Sequence, residues 1–468
     1  MRTFLASSLA LGALVLFACG NDYGSDDPNA DADGGTSGSS GSSGADKDGG
    51  GSSGGEGGVA PGTPITVTGK IVSYGIGLPN VPVVVAGKPA VNTSTLGTFT
   101  VTDVKPPYDV AFALKTSDAQ PRITVYQGLT RSDPTLVALG TNGELRPTAT
   151  TVPSLSGKIT GANGPGWGRA PIVSFGGPNR GTGFATVDQT TGSYTMTGTD
   201  VPTWYGATTI TGSLHASLVL DNAAPVTAWY AKVDNVNLTG GTAPPNTNIA
   251  LLSVPVGTIE ATITAPAKYD DPTKAVVNMG IRYTAGAGYF VKSSNTGQFP
   301  LTVKRPVPLV SGSSYQVSVG YAAGGDGEAS FARATMPVTE AGKVTMALAD
   351  PPAQSAPDAG ATGVAHNAAF TFSAFPNGIH RFALGGNNQP SITIVTSSTS
   401  VTLPDLAPFA VTIPGGAELL WRVAGFGPVK SVDDDALAIF MATIDGSLPN
   451  ADVAQVAIST ARKVTFAP

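Results

Sequence analysis

The sequence predicts an all-β protein of tandem β-sandwich modules behind an N-terminal leader and a flexible tether. Three observations predict it. A glycine-centred strand, followed later by a glycine, an aromatic residue and more strand formers, occurs three times, about 90 to 100 residues apart. Alternating or wholly apolar runs rich in β-branched residues are bounded by Gly, Pro or Asn at turn-like intervals. Helical periodicity is missing after residue 19. Composition agrees: of 468 residues 60 are Gly and 37 Pro, and only 12% are charged, about half the usual quarter. Thr, Ser and Asn stand where soluble proteins usually carry Lys and Glu.

The leader comes first. Arg2 precedes an apolar run over residues 4–18, which is shorter than the roughly 20 residues a membrane-spanning helix needs. It has the form of a secretory h-region ending in Leu16-Phe17-Ala18-Cys19, with small Ala18 directly before the cysteine. This resembles the lipobox of bacterial lipoproteins. The resemblance implies removal of residues 1–18 and diacylglycerol transfer to Cys19. An exported chain that relied on disulfides would carry paired cysteines, whereas Cys19 is the only one present. Acyl chains stabilise membrane attachment by about 0.8 kcal/mol per buried methylene, without any spanning helix. Gly20 after the cysteine is similar to the outer-membrane sorting pattern, so the expected location is the bacterial cell envelope, lipid-anchored at the outer membrane.

Next comes the tether, residues 19–58 counted with the cysteine. Eight acidic residues and Lys47 stand among Gly and Ser, giving this stretch a charge of −7. It lacks the apolar residues to fold alone. As a Gly/Ser coil it spans roughly 35 Å. With Arg2 counted, the remainder is formally neutral, and without a Lys/Arg cluster nucleic acid is not an expected partner. Asn29, Asp31, Asp33 and Gly34 imitate half of an EF-hand loop, but Ser40 stands where a bidentate Glu is needed. No metal or cofactor is expected.

Four modules follow, at 62–150, 151–253, 254–350 and 351–468. The repeated anchors are Thr68-Gly69-Lys70-Ile71-Val72 with Gly97-Thr98-Phe99, Ser156-Gly157-Lys158-Ile159-Thr160 with Gly192-Ser193-Tyr194, and Val256-Gly257-Thr258-Ile259-Glu260 with Gly297-Gln298-Phe299. Their spacing suits a small sandwich. In the first module these anchors, together with Leu78-Pro79-Asn80-Val81-Pro82-Val83-Val84-Val85, resemble the carboxypeptidase regulatory-like domain, a transthyretin-like sandwich. The resemblance implies an accessory module without peptidase activity. Leu96 stands where that family usually has Asp or Asn. The second and third modules keep the anchors and are expected to be transthyretin-like or Ig-like. In the fourth, Phe370-Thr371-Phe372, the Asn377-Gly378 turn and His380 to Leu384 read as a hairpin. With Trp421-Arg422 and a closing strand at 462–466, this module resembles a bacterial fibronectin type III domain.

Chemistry-bearing residues are scarce. Three histidines offer little for acid–base work. His215 lies in an alternating strand, His366 in a loop, and His380 shares the parity of Phe382 and Leu384. A single cysteine excludes cysteine-based zinc sites. Gly50-Gly51-Ser52-Ser53-Gly54 matches the nucleophile-elbow pattern but lies in the tether, without the strand-to-helix turn that activates a serine. Asp270-Asp271 and Asp433-Asp434-Asp435 have the character of solvated loop charges rather than a glycosidase pair.

Aromatic surface remains. Three of the four Trp fall in the second module, where Trp167 sits in a Gly/Pro turn and Trp204-Tyr205 follows a proline. Flat rings stack on sugars. The sequence therefore leads to a non-enzymatic, membrane-anchored envelope or surface lipoprotein acting as a structural or adhesive scaffold toward an unidentified protein or polysaccharide. The alternative is a glycan-binding lipoprotein using Trp167, Trp204 and Tyr205.

Overall fold

The computed structural model describes residues 62–468, except 74–75, 117–118, 139–148, 162–169, 178–181, 222–224, 270, 272–273, 285–286, 295–298, 324–326, 340, 387–388 and 434–452. Among the described residues the regular structure is strand, interrupted by short 3₁₀ turns such as Gly198–Asp200 and Ala407–Phe409. The expected all-β class is what the chain adopts.

The repeated anchors have a physical basis. Gly69 pairs with Phe99 across antiparallel strands Ile65–Ser73 and Thr98–Val104, and a Cβ at Gly69 would strike the Phe99 ring. Gly157 pairs in the same way with Tyr194, between Ser154–Gly161 and Ser193–Thr197. Gly69 leaves room for the Phe99 ring, and Gly157 leaves room for the Thr247 carbonyl and the Tyr194 hydroxyl. The turn glycines also match: Gly97 and Gly192 have φ of 79° and 73°, a region that disfavours side chains. Their carbonyls accept the amides of Ile71 and Ile159 at 2.9 and 2.8 Å. The third copy departs from this pattern. Gly257 pairs with Val307, and its space is filled by the hydroxyl of Tyr315, which donates to the Thr339 carbonyl.

Strands from three sequence regions build one 14-stranded sheet. Ala287–Ser294, Ala275–Thr284, Ser314–Ala322 and Ala329–Pro337 form one end. Val453–Ile458, Glu418–Gly427, Ile379–Gly385 and Ser391–Thr396 form the middle. Ala119–Leu129, Tyr108–Thr116, Pro82–Val85 and Val91–Asn92 complete the path, with Ala361–Val364 and Arg462–Phe466 pairing beside it. Two unions make it continuous. Ala329–Pro337 pairs antiparallel with Val453–Ile458, and Ser391–Thr396 pairs in parallel with Ala119–Leu129. Edge pairing thus makes one sheet continuous across the first, third and fourth regions.

Smaller sheets cover this common sheet from both sides. The sheet of Ile65–Ser73, Ile76–Gly77, Thr98–Val104 and Thr135–Val137 packs on one face, burying Val67, Ile71 and Phe99 against Val83, Phe112 and Tyr126. Phe331, Phe426 and Val456 extend that core from the other regions. The three-stranded sheet Gln354–Ala356, Phe370–Phe372 and Ser400–Val401 packs on the opposite face through Phe370, Phe382, Ile394 and Trp421, together with Ile123 and Val125 from the first region. Period-two alternation lets one strand supply two cores. Val256–Thr264, Leu301–Pro308 and Ala341–Ala347 likewise cover the strands of the third region.

The second region forms its own nine-stranded sheet around Phe175, Tyr194, Trp204 and Leu214. Its outer face meets the third region, where Val219 and Ala228 pack with Ile281 and Tyr283.

The expected hairpin at 370–384 does not form. Phe370–Phe372 pairs with Gln354–Ala356 and Ser400–Val401, whereas Ile379–Gly385 belongs to the common sheet. The Asn377-Gly378 turn instead crosses between sheets, with Asn377 at φ 50°. The His380 ring accepts the Phe375 amide at 2.9 Å, and Gly378 backs closely onto the Phe426 carbonyl. These contacts hold the chain in a crossover rather than a two-residue turn.

Candidate functional site

Cys19 and Trp167 lie outside the described residues, as do Asp270, Asp434 and Asp435. Trp204 lies in Thr203–Tyr205, paired with Ala149–Thr151. It is 0% exposed in the core, and its indole N–H donates to the Ala207 carbonyl at 2.9 Å. An enclosed ring cannot stack on a sugar, so Trp204 is not a glycan contact. Tyr205 pairs through its backbone with Ala149 at the sheet edge. Trp229 packs against the same core as Trp204. Of the expected aromatic patch on Trp167, Trp204 and Tyr205, the enclosed Trp204 is thereby withdrawn.

The histidines are structural. His215 is 1% exposed and has both ring nitrogens engaged at 2.8 Å, Nε2 with the Ser213 hydroxyl and Nδ1 with the Tyr230 hydroxyl. It stacks on Tyr283 with centroids 5.1 Å apart and planes 3° from parallel. Ser217 hydrogen-bonds the Tyr283 hydroxyl. This network spans the joint between the second and third regions. Burial, then the nearby Lys232 charge, pushes the His215 pKa down to about 4, with Asp234 opposing. An imidazole starved of water disfavours its charged form. His380 is buried beside Phe372, and burial lowers its pKa also. His366 lies edge-on to Phe466 in a turn.

Asp433 corrects another expectation. Its carboxylate is not a solvated loop charge, because both oxygens accept the Thr130 amide at 2.9 Å and Oδ2 accepts the Thr130 hydroxyl at 2.6 Å. The Arg131 amide adds a contact at 3.3 Å. The Tyr108 hydroxyl donates to the Arg131 carbonyl, so the clasp ties into the first core. Asp271 is ion-paired with Lys274 at 3.4 Å. No group of three or more His, Cys, Asp or Glu side chains suited to a metal ion occurs among the described residues.

Two groupings escaped sequence reasoning. Nothing in the spacing links His215 to Tyr283, and nothing links Arg122, Arg381 and Arg422, which strand register brings to one sheet face. The described residues contain no helix long and apolar enough to cross a membrane.

No protein-family model matches the chain, and no curated protein matches it. Among solved structures, the Bacillus anthracis TIE protein is similar over 61% of this chain at 12% identity and a TM-score of 0.14. The chain spans about half the length of that protein, 50%. BcpA, the major pilin subunit of Bacillus cereus, is similar over 61% of this chain and 99% of its own, at 12% identity and a TM-score of 0.14. A candidate cell adhesion protein from Parabacteroides distasonis is similar over 42% of this chain and 88% of its own, at 9% identity and a TM-score of 0.17. At such scores these likenesses carry no functional argument. The all-β architecture stands on the strand pairing itself.

Proposed function

We propose that the chain is a non-enzymatic envelope or surface lipoprotein that serves as a structural, adhesive scaffold, anchored through acylated Cys19 and held off the membrane by residues 20–58. One observation carries the scaffold reading: the chain's scarce reactive side chains are used to join its parts. His215 bridges the second and third regions, and Asp433 clasps the fourth region to the first. Groups enclosed and hydrogen-bonded in this way stiffen a body and are not poised for substrate. The lipobox-like Leu16-Phe17-Ala18-Cys19 and the acidic Gly/Ser stretch behind it support the anchoring. The partner fits a protein or a polysaccharide, met by loops and sheet faces.

Expression of the full chain and of Cys19→Ser in a bacterial host tests this reading. The unaltered chain should enter the membrane fraction with an acylated N-terminal peptide by mass spectrometry, and Cys19→Ser should leave that fraction. Protease treatment of intact cells then reports which side the body faces. An unacylated N-terminus, or equal partitioning of the two forms, overturns the anchoring. Loss of cell-to-surface attachment in a strain lacking the protein, restored by the unaltered chain, is the expected adhesive phenotype.

A further inference from the structure

Strand register assembles a basic cradle on the common sheet. Arg422 lies opposite Ala383, Ala383 opposite Thr393, and Thr393 opposite Thr124, across four adjacent strands. Arg381 and Arg122 stand two residues from Ala383 and Thr124, so all three arginines occupy one face. The small sheet of the fourth region covers the other face, through Phe382, Ile394 and Trp421. On the arginine face Ala383, Thr393 and the three arginines are only half-buried.

Distances suit a small ligand. With strands about 4.8 Å apart and same-face residues about 6.8 Å apart along a strand, Arg122 lies roughly 16 Å, Cα to Cα, from both Arg381 and Arg422. Two extended arginine side chains reaching inward can close that span around one small ion. Between them the floor is Ala383, Thr393 and Thr124. Thr124 is 1% exposed, and among the described residues its hydroxyl has no hydrogen-bond partner, so a buried polar group is left unmet.

The electrostatics point the same way. Burial, and after it the nearby charge of Arg422, brings the Arg381 pKa down to about 10, with Tyr126 opposing. Among the described residues Arg381 has no ion-pair partner. Glu418, four residues before Arg422 on its strand, is paired with Lys463 at 2.5 Å. Arg122 and Arg422 engage other groups as well. A guanidinium carries five N–H donors in a planar fork and can serve more than one acceptor.

We infer that this cradle binds a small oxyanion group, a carboxylate or a phosphate, held between Arg381 and Arg422 on one side and Arg122 on the other, with the Thr124 hydroxyl beneath. Bidentate guanidinium contacts are the strong form of such recognition. The inference is independent of the anchoring and adhesive readings.

Calorimetric titration of the full chain at fixed ionic strength tests it, with sodium glucuronate, inorganic phosphate and neutral glucose as probes. Saturable binding of either anion, with none of glucose, is expected. Glucuronate alone marks an acidic sugar unit, phosphate alone a phosphoryl group, and both an unselective oxyanion site. Arg381→Gln should weaken binding at least tenfold and Thr124→Val several-fold. Arg381→Lys, which keeps the charge and loses the fork, should fall between the unaltered chain and Arg381→Gln. Thermal unfolding verifies each variant's fold, and if Arg381→Gln does not fold, Arg381→Lys and Thr124→Val carry the comparison. Absence of saturable anion binding, equal binding of glucose, or unchanged affinity in the folded variants overturns the inference.

Discussion

The Asp433 carboxylate grips Thr130 across 303 residues of sequence, taking its amide at 2.9 Å and its hydroxyl at 2.6 Å. A carboxylate suits this role because its two oxygens together accept several donors at once. The contact lies where the last region of the chain meets the first.

Replacing Asp433 with Ala should therefore destabilise the fold by about 2 kcal/mol, since hydrogen bonds to charged acceptors contribute about 1.5 to 3 kcal/mol. Asp433→Asn, which keeps an acceptor oxygen, should lose less. Urea unfolding of the two variants measures the difference, and equal stability of Asp433→Ala and the unaltered chain would contradict the clasp.

The buried His215 makes stability pH-dependent. Its folded pKa of about 4 lies below the ordinary 6.5 of an unfolded chain, so the unfolded state takes up the proton first as pH falls. Stability from this group is full above about pH 6.5, declines as pH falls toward 4, and has then dropped by about 3 kcal/mol. His380, also lowered, adds slope of the same sign. Denaturant midpoints at pH 7.5, 6 and 5 should fall in that order, and His215→Gln should flatten the series.

Glycine substitutions should separate the anchors from ordinary turns. A Cβ at Gly157 would drive into the Thr247 carbonyl, a backbone atom that cannot swing away, so Gly157→Ala should prevent accumulation of folded protein. Gly87 has open space around its Cβ position and φ of 70°, so Gly87→Ala should cost only about 1 kcal/mol of left-handed strain. Thermal melts of both variants decide this.

Trp204→Ala should cost about 3 to 5 kcal/mol, as for other enclosed aromatic truncations. Trp204→Phe keeps most of the packing and should lose only about 1 kcal/mol with the bond to Ala207. A glycan effect confined to Trp204 without any stability loss would contradict its burial.

Much of the fold was legible in the residues, for identifiable reasons. Gly69 and Gly157 recur because a Cβ would strike the Phe99 ring at the first and the Thr247 carbonyl and Tyr194 hydroxyl at the second, a constraint visible as spacing. Alternation marked the strands because it is local. Which strands become neighbours is not local. Ile123 and Ile394 read as ordinary strand residues, and nothing in either segment announces that they enclose the same core. Trp204 misled because the proline before it suggested an exposed loop, whereas Thr203–Tyr205 is a short strand between Thr182–Thr186 and the edge strand Ala149–Thr151, and its indole turns inward. The arginine cradle was invisible for the same reason as the shared sheet, since its members meet only through register.

The parallel union of Ala119–Leu129 with Ser391–Thr396 bears on how the chain is made. A ribosome delivers the earlier strand about 260 residues before the later one, so one edge of a β-rich segment waits without its neighbour through most of synthesis. Such an edge is a template for wrong pairing with other chains. Production of this protein should accordingly depend on holding chaperones until its final quarter emerges.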